Sequence, residues 1–142
     1  MFKIKSEIQF DMAHYLSEYD GKCSNIHGHR YRLIAKLASE TLHKEGQTRG
    51  MVEDFSNFKN ELKEIETEFD HKLVIENNEE GREISKKLAE FPNNFDIVLV
   101  DYRPTAEEMS RDIFNKLKAK GLPIYEVELF ETPNNSCIYS EE

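Results

Sequence analysis

Positive charge, cysteine and long apolar runs are all scarce in this chain, and each scarcity narrows what it can do. Lys and Arg number 19 against 28 Asp and Glu, a net charge of −9. That is the wrong sign for wrapping nucleic acid, which needs a basic footprint. A small anionic substrate stays open if cationic groups cluster locally. Two cysteines, Cys23 and Cys137, build no disulfide framework. With no leader ahead of a strand that starts at Phe2, they read as reduced thiols of a cytoplasmic protein. No apolar run approaches the roughly 20 residues that cross a bilayer, and no repeat, linker or low-complexity tract divides the chain. The 142 residues therefore read as one domain, residues 1–142, with a real but modest core.

What is present is period-two alternation ending in histidines. Phe2, Ile4, Ser6, Ile8, Phe10, Met12 and His14 occupy even positions, with Lys3, Lys5, Glu7, Gln9 and Asp11 between them. This is a half-buried strand. After Cys23-Ser-Asn-Ile-His27-Gly28-His29 the alternation resumes on odd positions with Tyr31, Leu33, Ala35 and Leu37. Paired as an antiparallel hairpin across a loop from Tyr15 to Ile26, the two strands bring His14 opposite His27 and His29. Three imidazoles converging on an apolar face suit zinc, with a fourth position left for water or substrate. On the other face Lys3, Lys5, Arg30, Arg32 and Lys36 form a basic stripe, read either as a solvated surface or as a place for an anion.

The rest of the chain reads as support. The connection from Ser39 to Gly50 is polar, and its His43 reads as solvated. Phe55, Phe58, Leu62, Ile65 and Phe69 step by three and four, one buried helical stripe with Asp54 as N-cap. Asp70-His71 and a short apolar run, Leu73–Ile75, follow. Glu79 to Phe91 is a weaker helix stopped by Pro92-Asn93-Asn94, and Ile97–Val100 reads as a buried strand. Thr105 and Glu108 form a capping box ahead of a stripe of Met109, Ile113, Phe114 and Leu117. A last hairpin runs from Ile124 to Tyr139, its odd face reading Tyr125, Val127, Leu129 and then Glu131. A carboxylate continuing an apolar face either sits at an exposed strand end or binds something. The expected architecture is α+β, two antiparallel hairpins in one sheet with two main helices on its apolar face. Its long edges call for oligomerisation.

Phe10-x-x-Ala13-His14, Cys23-x-x-x-His27-Gly28-His29, Gly50-Met51-Val52-x-Asp54-Phe55, Asp70-His71, Pro104-Thr105-Ala106-Glu107 and Glu131-Thr132-Pro133 stand in the order found in one family. The chain resembles the 6-pyruvoyl-tetrahydropterin synthase / 6-carboxy-tetrahydropterin synthase family from about residue 2 to 139. The resemblance implies the tunnelling fold (T-fold), assembled as a homohexamer of two stacked trimers. It implies Zn²⁺ on His14, His27 and His29, and Cys23, Asp70 and His71 as catalytic proton-transfer groups. It further implies Glu131, assisted by Glu107, against the pterin ring of 7,8-dihydroneopterin triphosphate. The three-residue gap between Cys23 and His27 is similar to the bacterial enzymes that form the 6-carboxy product for queuosine synthesis, with acetaldehyde and triphosphate released. The segment Asn134–Ile138, Glu108 and the stretch 76–96 depart from the family pattern. The pyruvoyl product, another T-fold chemistry such as purine cyclohydrolysis or pterin epimerisation, and a non-catalytic zinc site closed by Cys23 are the alternatives.

Overall fold

The computed structural model describes residues 1–93 and 95–141. Alternation produces the central hairpin as expected. Strand β1 (Phe2–His14) pairs antiparallel with β2 (His27–Ser39) in one unbroken register from Phe2↔Ser39 to His14↔His27. The register sets Phe10 against Tyr31, whose rings stack at 5.4 Å, and Ile8 against Leu33. All four side chains are buried, while Lys5, Glu7, Gln9, Arg30 and Arg32 alternate outward.

The second hairpin, β5 (Ile124–Thr132) with β6 (Asn135–Ser140), docks on the free side of β2. Leu33 faces Leu129 and Ala35 faces Val127. A bulge between Lys36 and Leu37 brings Ile124 opposite Leu37, and the Tyr125 ring lies under the Lys3 ammonium at 4.2 Å. Tyr125 therefore leaves the row of Val127 and Leu129 that alternation assigned to it, because one irregular step resets the parity of a strand.

The sheet extends further than the two hairpins. Strand β3 (Lys72–Glu76), the apolar run left unassigned above, pairs parallel with β1 at Met12–His14, and β4 (Ile97–Val100) pairs parallel with β3. Helix α2 (Glu79–Leu88) carries the crossover that a parallel pair requires. The order is β4-β3-β1-β2-β5-β6. As the edge strand, β4 is covered less than a continuous apolar run suggests: Leu99 is 40% exposed and only Val100 is buried. Asn94, the last residue of the helix breaker, lies outside the described residues.

Helices α1 (Phe55–Phe69) and α3 (Ala106–Ala119) cover the apolar face with Phe58, Leu62, Ile65 and Phe69, and with Met109, Ile113, Phe114 and Leu117. Phe55 is 60% exposed. As the first helical residue it has the core on one side only, so the stripe begins a turn later. Asp54 caps α1, accepting the Ser56 N–H at 2.7 Å. The capping box at α3 is half made. Thr105 Oγ1 accepts the Glu108 N–H at 3.2 Å, but the Glu108 carboxylate turns away to Arg111 at 2.5 and 2.6 Å. Lys116 of α3 ties the helices together through Glu68 of α1. His43 is exposed, as its setting implied. Among the described residues no helix is long and apolar enough to cross a membrane.

One contact fixes where α2 docks. The Gly81 N–H donates to the Asn78 side chain at 2.7 Å, and a Cβ on Gly81 would meet the Glu76 carbonyl oxygen at 2.1 Å and Ile75 Cγ2 at 2.7 Å. The nearest obstacle is backbone, which cannot rotate away. Gly81→Ala is expected to cost about 1–3 kcal/mol despite the better helix propensity of alanine. Urea denaturation measures this, and a stability within about 0.5 kcal/mol of wild type would contradict the close approach.

Candidate metal centre and active site

Three rings meet where the central hairpin opens. His14 closes β1 and His27 opens β2 directly opposite, while His29, two residues on, returns to the same face beside Met12. Ring centroids are 4.6 Å apart for His14–His27, 4.9 Å for His27–His29 and 5.5 Å for His14–His29. Each ring offers a nitrogen within 4.8 Å of the other two. The loop between the strands is drawn in by the Leu16 N–H donating to the Cys23 carbonyl at 2.9 Å.

Hydrogen bonds at the rear of two rings fix which nitrogen looks inward. His14 Nδ1–H donates to the Pro104 carbonyl at 2.8 Å, and His27 Nδ1–H to the Asn25 carbonyl at 2.7 Å. A carbonyl only accepts, so each Nδ1 carries the proton and each neutral ring presents an Nε2 lone pair. His14 is 1% exposed. Burial, opposed by the Pro104 carbonyl and by Glu131, holds its pKa below the ordinary histidine value, which keeps the ring in the neutral form that binds metal. The buried Tyr31 hydroxyl lies 3.4 Å from both nitrogens of His14, and burial raises its pKa, so it stays protonated.

Glu131 reaches the same space from β5. Its Oε1 is 3.4 Å from His14 Nε2 and 3.8 Å from His29 Nε2, with the side chain 31% exposed. Three imidazoles, two of them held from behind, with a carboxylate beside His14 and His29, form a donor set suited to zinc. Cys23 is a half-buried free thiol in the turn Lys22–Ser24. Among the described residues, its sulfur joins neither of the two groups close enough to share an ion.

The second such group is Asp11, Asp70 and His71. Asp70 ends α1 and accepts the Asp11 N–H at 2.9 Å through Oδ1, while His71 Nδ1 lies 2.8 Å from Oδ2. The His71 N–H donates to the Asp11 carbonyl at 2.6 Å. The Asp11 amide first, and His71 next, hold the Asp70 carboxyl below its usual range. His71 adopts a positive φ of 60°, which turns its imidazole outward, 75% exposed. A cavity of about 700 Å³ is lined by His29 and His71 together, with Arg30, Lys72, Ile26 and Phe95 around them. A cleft of about 480 Å³ on the other side of His29 is lined by Glu131, Arg32 and Phe130. Glu107 is exposed in the first turn of α3, and among the described residues its side chain makes no hydrogen bond or ion pair.

The basic stripe is largely neutralised. Arg30 pairs with Asp11 at 2.9 Å, Arg32 with Glu7 at 2.5 Å and Lys36 with Glu126 at 2.6 Å. Three contributors escape a reading of the sequence. Pro104 precedes the cap of α3, Tyr31 reads as plain core and Asp11 as an outer charge, and only tertiary pairing gives each its place beside the histidines or Asp70.

A sequence profile of the 6-pyruvoyl tetrahydropterin synthase family matches residues 3–142. A 6-carboxy-5,6,7,8-tetrahydropterin synthase of Haemophilus influenzae is 41% identical over 144 residues, covering 99% of this chain and all of that one. Among solved structures, an uncharacterized protein from Wolinella succinogenes superposes with a TM-score of 0.76 over 99% of this chain and 98% of that one. Its 18% identity speaks to the fold alone. The Caenorhabditis elegans 6-pyruvoyl tetrahydropterin synthase superposes with a TM-score of 0.67 at 25% identity, over 99% of this chain and 96% of that one. With the matched span running from the second residue of the hairpin strand past Glu131, this chain belongs to the 6-pyruvoyl tetrahydropterin synthase family, and its fold is the T-fold of those enzymes.

Proposed function

We propose that the protein is a zinc-dependent 6-carboxy-5,6,7,8-tetrahydropterin synthase. It converts 7,8-dihydroneopterin triphosphate to 6-carboxytetrahydropterin with release of acetaldehyde and triphosphate, a step of 7-deazaguanine (queuosine) synthesis in the cytoplasm. The observation that carries this is the convergence of three imidazoles, two of them anchored from behind, on one space, in a chain 41% identical to a relative of that name over its whole length.

His14, His27 and His29 hold the ion. Bound there, zinc supplies Lewis acidity toward the side-chain oxygens of the substrate and so acidifies the adjoining C–H. Cys23, as thiolate, takes that proton at Sγ. Asp70 orients His71 through Nδ1, which frees the outward Nε2 to give or take the balancing proton. Glu131 accepts from the amino group and ring N–H of the pterin, with Glu107 assisting once substrate is present. Arg30 and Arg32 line the cleft next to Glu131, where exchanging their carboxylate partners for phosphate offers a triphosphate cationic partners.

The protein works as a hexamer. Within the chain, β3 covers β1 only at Met12–His14, and β5 covers one side of β6. The other edges invite pairing with further copies. Light scattering on the purified protein is expected to give six chains per particle. A monodisperse monomer would contradict the assembly.

Cys23→Ala is expected to keep the fold and the zinc but to lose turnover by about 10²–10⁴-fold, the usual worth of a general base. Mass spectrometry of the products from dihydroneopterin triphosphate reads both the rate and the branch. A 6-pyruvoyl product from wild type would replace the carboxy assignment by the pyruvoyl one. Loss of zinc along with Cys23 would make the site a closed structural one.

A further inference from the structure

The His14 ring stands between two acceptors. Its Nδ1 lies 2.8 Å from the Pro104 carbonyl, and its Nε2 lies 3.4 Å from the Glu131 carboxylate. The Tyr31 hydroxyl, 3.4 Å from both nitrogens, favours neither. A neutral imidazole has one N–H, and the nitrogen that carries it has no lone pair to give. A carboxylate is the stronger acceptor of the two. The proton stays on Nδ1 because the Pro104 carbonyl is the closer one. Were that carbonyl to draw back, the proton would pass to Nε2 and face Glu131. The ring's charge would not change, but the lone pair aimed into the site would be lost.

What keeps the carbonyl forward lies outside the site. Pro104 belongs to the connection 101–105 between β4 and α3, and it has no N–H with which to anchor itself. Two residues earlier, Tyr102 is half-buried against the core and reaches across to α3, where its hydroxyl donates to Asp112 Oδ2 at 2.6 Å. That oxygen is held in turn by the Lys116 ammonium at 2.9 Å, and Lys116 pairs onward with Glu68 of α1. On the other side of Pro104, Thr105 is fixed as the cap of α3. We propose that Tyr102 is a positioning residue for His14. Clamped on Asp112, it holds the Pro104 carbonyl against Nδ1 and so fixes the tautomer that the ring presents to the site. The consequence for metal binding rests on the reading of the histidines as a metal site; the choice of tautomer does not.

Tyr102→Phe removes the hydroxyl and keeps the ring that packs. Magic-angle-spinning NMR of metal-free protein labelled at histidine reads the tautomer, with His14 assigned as the signal missing from His14→Gln. Wild type is expected to hold the His14 proton on Nδ1 alone. Tyr102→Phe and Asp112→Ala are expected to show a second population protonated at Nε2. Asp112→Asn, which keeps an acceptor oxygen for the hydroxyl, is expected to resemble wild type. Zinc affinity, read by competition with a chromophoric chelator, is expected to fall about tenfold in Tyr102→Phe and Asp112→Ala, the low end for loss of an outer-shell partner. A clamp that only stabilised the fold would lower the melting temperature and move neither readout. An unchanged tautomer, or an unchanged affinity in protein that takes up zinc, therefore overturns the proposal, as does a wild-type ring already protonated at Nε2. Failure of wild type to take up zinc would instead remove the metal reading and leave the tautomer to decide. Should Tyr102→Phe prove misfolded by circular dichroism, the contrast between Asp112→Ala and Asp112→Asn decides.

Discussion

Everything at this site depends on the register of one hairpin. Side chains on a strand alternate, so a slip of one residue between β1 and β2 would carry Ile8, Phe10 and Met12 away from Tyr31, Leu33 and Leu37 and set one row in water. Each large apolar side chain is worth about 1.5–3 kcal/mol when fully buried. The three of one row together reach the lower part of the whole stability of a domain, about 5–15 kcal/mol. That cost pins the register, and His14 and His29 ride in the same two rows. The histidine cluster needs no machinery of its own to bring His14 opposite His27, because the hydrophobic face has already done so.

The remaining elements secure orientation and not merely proximity. Two rings approaching at random would point either nitrogen inward. The Pro104 carbonyl, delivered by the connection between β4 and α3, and the Asn25 carbonyl in the β1–β2 loop each hold an Nδ1–H and leave Nε2 to the site. Asp70 applies the same logic to His71, and the Asp11 amide in turn holds Asp70. Backbone groups supply most of these anchors, and their positions follow from secondary structure that hydrophobic packing fixes. A chain of modest size can in this way place polar groups within a few tenths of an ångström.

Local periodicity made much of this visible in the amino-acid sequence. The two hairpins, the two covering helices, the three histidines and the carboxylate at the end of β5 follow from patterns of two, three and four residues. What stayed hidden depends on long-range pairing. The parallel strand β3 pairs with β1 over three residues only, and no pattern of its own distinguishes it from a buried turn. A single bulge moved Tyr125 out of its expected row, and Glu108 chose Arg111 over the helix N-terminus. The basic stripe was right as a list of residues but blind to the facing carboxylates, since Glu7 and Asp11 belong to another strand. Among the described residues Glu107 has no partner side chain in the site and Cys23 stands apart from the histidine nitrogens, so the roles proposed for them rest on the substrate-bound state.

The central claim is that His14, His27 and His29 together bind one zinc ion. Metal analysis of the purified protein measures it most directly, on wild type and on His27→Ala, which removes a half-exposed ring and spares the core. The account predicts close to one zinc per chain in wild type and almost none in the variant, with both proteins folded. Equal zinc in the two, or none in wild type after purification and refilling with zinc, would contradict it.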